Sequence, residues 1–136
     1  MTIVDTNVLL DLVTDDPVWA EWSIAQLDAA SLRGPLLINN VIYAELAVRY
    51  QRIEDLNAFV AEAGLVIASI PTEALFLAGK VFTQYRRVGG AKTGVLPDFF
   101  IGAHAAVDEI PILTRDTGRY RTYFPSIVLI TPDGKF

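Results

Sequence analysis

The sequence predicts an α/β domain built around a mainly parallel β-sheet. Short apolar runs recur along the chain, and between them lie amphipathic stretches of about 10–15 residues, the alternation of βαβ units. The runs are continuously apolar rather than alternating, as expected of strands covered on both faces. At 136 residues the chain is long enough for one domain, spanning 1–136, that buries roughly two thirds of the surface of its unfolded form. No repeat, linker or low-complexity segment divides it.

TIVD at 2–5 reads as the first buried strand, and Thr6 to Leu12 as the start of a helix that the Asp15–Asp16–Pro17 run interrupts. Asp16 can cap the next helix. Pro17 at the first helical position opens this second amphipathic segment, which ends near Arg33, Gly34 and Pro35. LLIN at 36–39 is the next strand, and Asn39 or Asn40 caps a helix running from Val41 to Arg52. A helix over about 54–63 stops at Gly64, and VIAS at 66–69 is a third strand. Thr72 and Glu73 open a long helix to Arg87, and Gly89–Gly90 begins a polar loop to Pro97. A helix from Asp98 to Glu109 precedes the strand PILT at 111–114. After it come a turn with one helical turn and a last strand, SIVLIT, at 126–131.

Composition limits the function classes. The chain is 52% hydrophobic, yet it contains no uninterrupted apolar run of about 18 residues, so a membrane span is not expected. The N-terminus lacks the pattern of a signal peptide and there is no cysteine, so a soluble, cytoplasmic protein is expected. A net charge of −5 argues against non-specific coating of nucleic acid. The charge is unevenly spread: residues 1–79 carry three basic and eleven acidic side chains, residues 80–136 eight basic and five acidic. Arg86, Arg87, Lys92, Arg115, Arg119 and Arg121 fall within one stretch, which is either an anion-facing patch or an ordinary solvated surface.

The carboxylates point to chemistry. Parallel sheets bind ligands beyond the carboxyl ends of their strands. Asp5 ends the first strand, Asp116 follows PILT after Arg115 alone, and Asp98 stands at the start of the helix that leads into PILT. Glu45 lies in the helix after the second strand, among Ile42, Tyr43 and Leu46. Four acids from distant segments therefore converge on one edge. Carboxylates held close together raise one another's pKa unless a cation intervenes, and magnesium or manganese, hard ions that take oxygen ligands, suit such a set. Ions of this kind activate water and stabilise the leaving oxygen in phosphodiester cleavage. Thr6, Asn7, Thr114 and Thr117 would orient the acids by hydrogen bonds. Taken singly, Asp98 after Pro97 is explained as a helix N-cap, and Asp116 as the start of a turn. Asp5 is harder to explain, because a buried strand end without a basic neighbour is a poor place for an unpaired charge.

Other chemistries find little support. His104, mid-helix among apolar residues, reads as a hydrogen-bonded structural histidine. There is no thiol nucleophile and no G-x-S-x-G turn, and Gly89–Gly90 follows a helix rather than a strand, so it is no phosphate loop. A phosphoaspartate enzyme would favour an acid two residues after Asp5, where this chain has Asn7.

The segments VDTNVLLDL, IYAELAVRY, LPDFFIGAHA and ILTRDTGRYRTYFPSIVLI resemble the acidic blocks of PIN-domain ribonucleases, in particular VapC-type toxins, from residue 1 to about 131. The resemblance implies a five-stranded sheet of order 3-2-1-4-5 and a magnesium or manganese site of Asp5, Glu45, Asp98 and Asp116. It also implies RNA as substrate and a small antitoxin protein as partner; self-association into a homodimer stays open. Many relatives carry a further acid about three residues after the position of Asp116, where this chain has Arg119, which bears on how many metals are held. Arg86, Arg87, Arg115 and Arg119 are candidate contacts to RNA phosphate. Trp19 and Trp22, three apart on one helix face, are either core residues or the lining of an antitoxin groove. The alternatives to a toxin are a PIN-domain nuclease of RNA processing that works without an antitoxin, and a non-catalytic RNA- or protein-binding module of the same fold.

Overall fold

β1 (Thr2–Val4) is the central strand of the computed structural model, which describes residues 1–91, 96–116 and 118–133. All three of its residues are buried, and because successive side chains point to opposite faces, the strand is covered on both sides. β2 (Leu36–Ile38) pairs with it on one side and β4 (Ile112–Leu113) on the other, so that Ile3 stands opposite both Leu37 and Ile112. β3 (Leu65–Ile67) and β5 (Leu129–Ile130) close the edges, giving the order β3-β2-β1-β4-β5 with every pairing parallel. β3 shows its edge position in its exposure: Leu65 is buried, Val66 and Ile67 are not.

Seven helices among the described residues connect the strands. Asp5 ends β1 and accepts the N–H of Thr6 through Oδ1 at 2.8 Å, capping α1 (Thr6–Val13). Asp16 Oδ1 accepts the N–H groups of Val18 and Trp19, which holds residues 17–19 in a turn. α2 (Ala20–Ser31) therefore starts three residues later than Pro17 leads one to expect. Asn39 caps α3 (Asn40–Ala47) by accepting from the Ile42 N–H at 3.0 Å. This helix ends five residues before Arg52. Arg49 and Tyr50 turn back to the carbonyls of Leu46 and Ala47, and the Tyr50 ring packs on Phe59 of α4 (Ile53–Glu62), so a tertiary contact overrides the helical pattern. Gly64 follows α4 at φ +68°, the left-handed conformation that ends a helix. No helix among the described residues is long and apolar enough to cross a membrane.

α5 (Thr72–Arg87) and α6 (Leu96–Asp108) form the connection from β3 to β4, and α7 (Gly118–Tyr123) the one from β4 to β5. α6 begins at Leu96, so Asp98 lies in its first turn rather than capping it; Pro97 is tolerated there because the first N–H groups of a helix have no partner within it. The last strand is shorter than SIVLIT because the Ile127 N–H turns back to the Phe124 carbonyl after Pro125.

One aromatic cluster fixes the start of α6. Phe99 is fully buried, with ring centroids of Tyr123 at 5.3 Å, Tyr85 at 5.5 Å, Phe82 at 6.0 Å and Phe124 at 6.3 Å. Each such pair contributes about 0.5–1.5 kcal/mol beyond area burial. The residue before it in the chain is Asp98, so the cluster holds that carboxylate at the sheet edge. One turn further along, α6 touches Phe124 through Gly102, where an added Cβ would lie 2.5 Å from the Phe124 ring. Phe124 is 4% exposed and has nowhere to retreat. Gly102→Ala is therefore expected to lower stability by about 1–3 kcal/mol in denaturant unfolding, with partial recovery in the double variant Gly102→Ala, Phe124→Leu. An unchanged unfolding midpoint would show that α7 can shift freely against α6.

Candidate active site

The carboxyl ends of β1, β2 and β4 bring together side chains far apart in sequence. Asp5 is only 5% exposed, yet its carboxylate is fully provided with donors. Oδ1 takes the Thr6 N–H. Oδ2 accepts the hydroxyls of Thr114 at 2.8 Å and Tyr120 at 2.9 Å, with the Asn7 amide at 3.4 Å. Thr114 in turn accepts from Asn7 at 3.1 Å and from the Asp116 N–H at 3.1 Å, and Asn7 Oδ1 accepts the Arg115 N–H. The chain following β4 is thus laced to the start of α1. The Thr6 hydroxyl donates to Glu45 Oε1 at 2.6 Å, orienting a second acid. Arg119 donates through Nη1 to Asp98 Oδ2, each side chain 27% exposed. Asp116 is exposed.

The acids feel one another. Burial, the largest cause, pushes the pKa of Asp5 up from 3.8 to about 6; hydrogen bonds from Thr114, Tyr120 and Thr6 oppose this, and the charge of Asp98 adds to it. Burial also raises Glu45, against the Thr6 hydrogen bond and with the charge of Asp98 adding. Asp98 itself is raised by burial, pulled back by Arg119 and pushed further by Asp116. Tyr120, buried against Asp5, is driven well above its ordinary value by burial first and then by the charges of Asp5, Asp98 and Asp116. The charge on Asp98 is thus felt by Asp5 and by Glu45, and that of Asp116 by Asp98.

The donor set suits a hard divalent cation: it offers carboxylate oxygens whose negative charge is disfavoured by burial and by proximity. Among the described residues no three carboxylate or imidazole groups already surround one point as a metal site would. Asp98 has a guanidinium against it instead.

The remaining candidates fall elsewhere. Arg115 is committed to Asp11, a carboxylate 2% exposed, through two 2.8 Å hydrogen bonds, and its guanidinium lies 4.9 Å from the Trp19 ring centre. Ser23 Oγ donates to the same carboxylate at 2.7 Å. Trp19 and Trp22 are half-buried and meet edge to face at 6.1 Å, and Trp22 packs against the core. Arg86 and Arg87 are exposed in the last turn of α5, next to Tyr85 of the cluster around Phe99. Lys92 and Thr117 lie outside the described residues. His104 is 1% exposed: Nδ1 faces the Asn39 amide at 3.2 Å and Nε2 faces Asp108 at 3.2 Å. Because Asn39 uses Oδ1 to cap α3, its amide nitrogen is the donor, and His104 is a neutral structural ring. Sequence reasoning missed Tyr120 as a donor to Asp5, and missed Asp11 and Ser23 as partners that hold Arg115. The one available signal was an aspartate on the apolar face of α1.

The sequence profile described as PIN domain matches residues 2–125. The chain belongs to the PIN domain family. Among solved structures this PIN domain is similar to VapBC2 from Rickettsia felis bound to a DNA fragment from its promoter, with TM-score 0.73, 16% identity, and 96% of this chain and 97% of that one covered. It is also similar to DNA-bound VapBC from Salmonella typhimurium, with TM-score 0.68, 19% identity and 96% of each chain covered. FitAcB from Neisseria gonorrhoeae follows with TM-score 0.67, 19% identity, and 97% of this chain and 98% of that one covered. Likeness at this identity establishes the fold. No curated protein sequence matches the chain.

The burial of Asp5 has a consequence for stability. A carboxyl raised to about 6 in the folded state and lying near 3.8 unfolded keeps its proton longer when folded. Its contribution is fully present below the unfolded value and is lost as pH rises through about 6, by about 3 kcal/mol in all. In the metal-free protein the difference in unfolding free energy between wild type and Asp5→Asn should therefore move in favour of the variant from about pH 4 to pH 6 and stay level above. A difference that does not change with pH would show that Asp5 titrates normally.

Proposed function

We propose that this PIN domain is a divalent-metal-dependent endoribonuclease, the toxin of a toxin–antitoxin pair. The observation that carries the reading is the convergence of Asp5, Glu45, Asp98 and Asp116 at the carboxyl edge of the sheet, with the first three raised in pKa by burial and by neighbouring charge. These acids would hold magnesium or manganese, which when bound supplies an activated water and stabilises the departing oxygen of a phosphodiester. The protein's own part is positional. Thr6, Thr114, Tyr120 and Asn7 keep Asp5 and Glu45 in place before any ligand arrives, so little reorganisation is left for the reaction. Arg86 and Arg87 add positive charge beside the start of α6, where an extended polyanion would lie.

The toxin assignment draws on the structural neighbours VapBC and FitAcB, and on a further neighbour from Klebsiella pneumoniae that is described as a toxin–antitoxin complex. The half-buried Trp19–Trp22 pair offers a broad aromatic surface for an antitoxin segment. A small DNA-binding reading frame with a flexible tail directly upstream would identify that partner. Action in the cytoplasm follows from the same reading.

Asp5→Asn and Asp98→Asn should each reduce manganese- or magnesium-dependent RNA cleavage by at least roughly a hundredfold, at unchanged circular dichroism. Cleavage at the wild-type rate in both would remove the proposed site. Replacing Arg86 and Arg87 together by alanine should weaken RNA binding and lower the slope of log K against log salt by up to about 1.4 for a single-stranded RNA. An identical slope would make both arginines plain surface residues.

A further inference from the structure

Three arginines follow β4 closely, and each meets a different acid. Arg115 is locked in two-point contact with buried Asp11 and covered by Trp19. Arg121 pairs with exposed Asp133 at 3.2 Å. Arg119, one turn before the end of α7, lies against Asp98, the acid whose charge both Asp5 and Glu45 feel. Among the described residues, Arg119 therefore brings a positive charge to the acid cluster from within the chain, at the carboxylate whose charge Asp5 and Glu45 both feel.

We infer that Arg119 is a built-in competitor of the divalent cation at Asp98: the guanidinium occupies the carboxylate that the ion needs, and the ion binds only as Arg119 leaves. This rests on the proposal that the four acids form the metal site. The contact is built for release. It uses one nitrogen of the guanidinium, and both partners are partly open to water. Asp5 could not be freed so readily, since its donors Thr114 and Tyr120 are themselves buried. Once displaced, Arg119 remains next to the site, where its guanidinium is available to a phosphate of the substrate. Arg119 is thus a positioning residue that sets metal affinity, with its charge passing from Asp98 in the metal-free state toward substrate in the loaded one.

The test measures manganese binding to the full chain without RNA, by calorimetry or by the electron paramagnetic resonance signal of free Mn²⁺, for wild type, Arg119→Met, Arg119→Lys and the control Arg121→Ala. Arg119→Met keeps the apolar stem and removes the charge, so it should bind Mn²⁺ up to about fivefold more tightly, the size expected for a partly solvated ion pair that no longer has to be broken. Arg119→Lys, which keeps a cation but loses the planar fork, should fall between Met and wild type, and it carries the test alone if the Met variant does not fold. Arg121→Ala should match wild type. The metal-induced rise in melting temperature should show the same order. Equal affinity in wild type and both Arg119 variants, or weaker binding in the variants, overturns the inference and leaves the metal site standing. No Mn²⁺ binding by any of them overturns both.

Discussion

The desolvated carboxylate of Asp5 is the interaction on which the rest of this structure depends. A charge buried at the end of the central strand would be intolerable without donors, and the fold supplies them from three elements: the first N–H of α1, the hydroxyl of Thr114 after β4, and the hydroxyl of Tyr120 on α7. Each donor is itself tied down. Thr114 also bonds Asn7 and Asp116, and Tyr120 is 2% exposed within the hydrophobic core. Asp5 therefore organises the carboxyl edge of the sheet whether or not a ligand is present. The same contacts hold Asp116 and the start of α7, with Arg119, near α6.

Two ion pairs at this edge play opposite parts. Asp11 with Arg115 is a closed pair: the carboxylate is buried, the contact has two points, Ser23 takes up a further lone pair, and Trp19 covers the guanidinium. It joins α1, the start of α2 and the chain after β4, and removing either partner would strand a buried charge. Asp98 with Arg119 is an open pair, single-point and partly solvated. Such pairs contribute little to stability and are the ones that exchange partners easily. The site thus has a rigid side built from Asp5, Thr114 and Arg115, and an adjustable side built from Asp98 and Arg119.

Most of the fold was legible because its signals are local. Continuous apolar runs mark β1, β2 and β4, and caps such as Asp5 and Asn39 stand where a helix must begin. The order of the strands came from the resemblance, since nothing local in a strand names its neighbour. The features that stayed hidden are made by contacts between distant residues. Asp11 and Arg115 are 104 positions apart, and Tyr120 reaches Asp5 across 115, so no periodicity could join them. The early end of α3 has the same origin, in the packing of Tyr50 on Phe59. Asp98 illustrates both sides: its place near a helix start was readable, but whether it capped that helix or faced an arginine depended on where α7 packs.

The four carboxylates of the proposed metal site are met by graded means. Asp5 is met by neutral donors and is the most strongly raised in pKa, Glu45 by a single hydroxyl, Asp98 by a guanidinium and Asp116 by solvent. A cation that enters competes with each of these at a different cost. Solvent at Asp116 and the guanidinium at Asp98 yield most easily, because neither replacement opens the core. The donors on Asp5 Oδ2 need not yield at all, since Oδ1 accepts the Thr6 N–H alone and keeps a lone pair that can face an ion. In the proposed metal site, the Asp98 and Asp116 side is therefore the one expected to open to a cation, while Asp5 is held fixed by its donors. That asymmetry has its origin in burial alone: the carboxylate on the strand end lies inside the sheet, and those on the helix start and the loop lie at its rim.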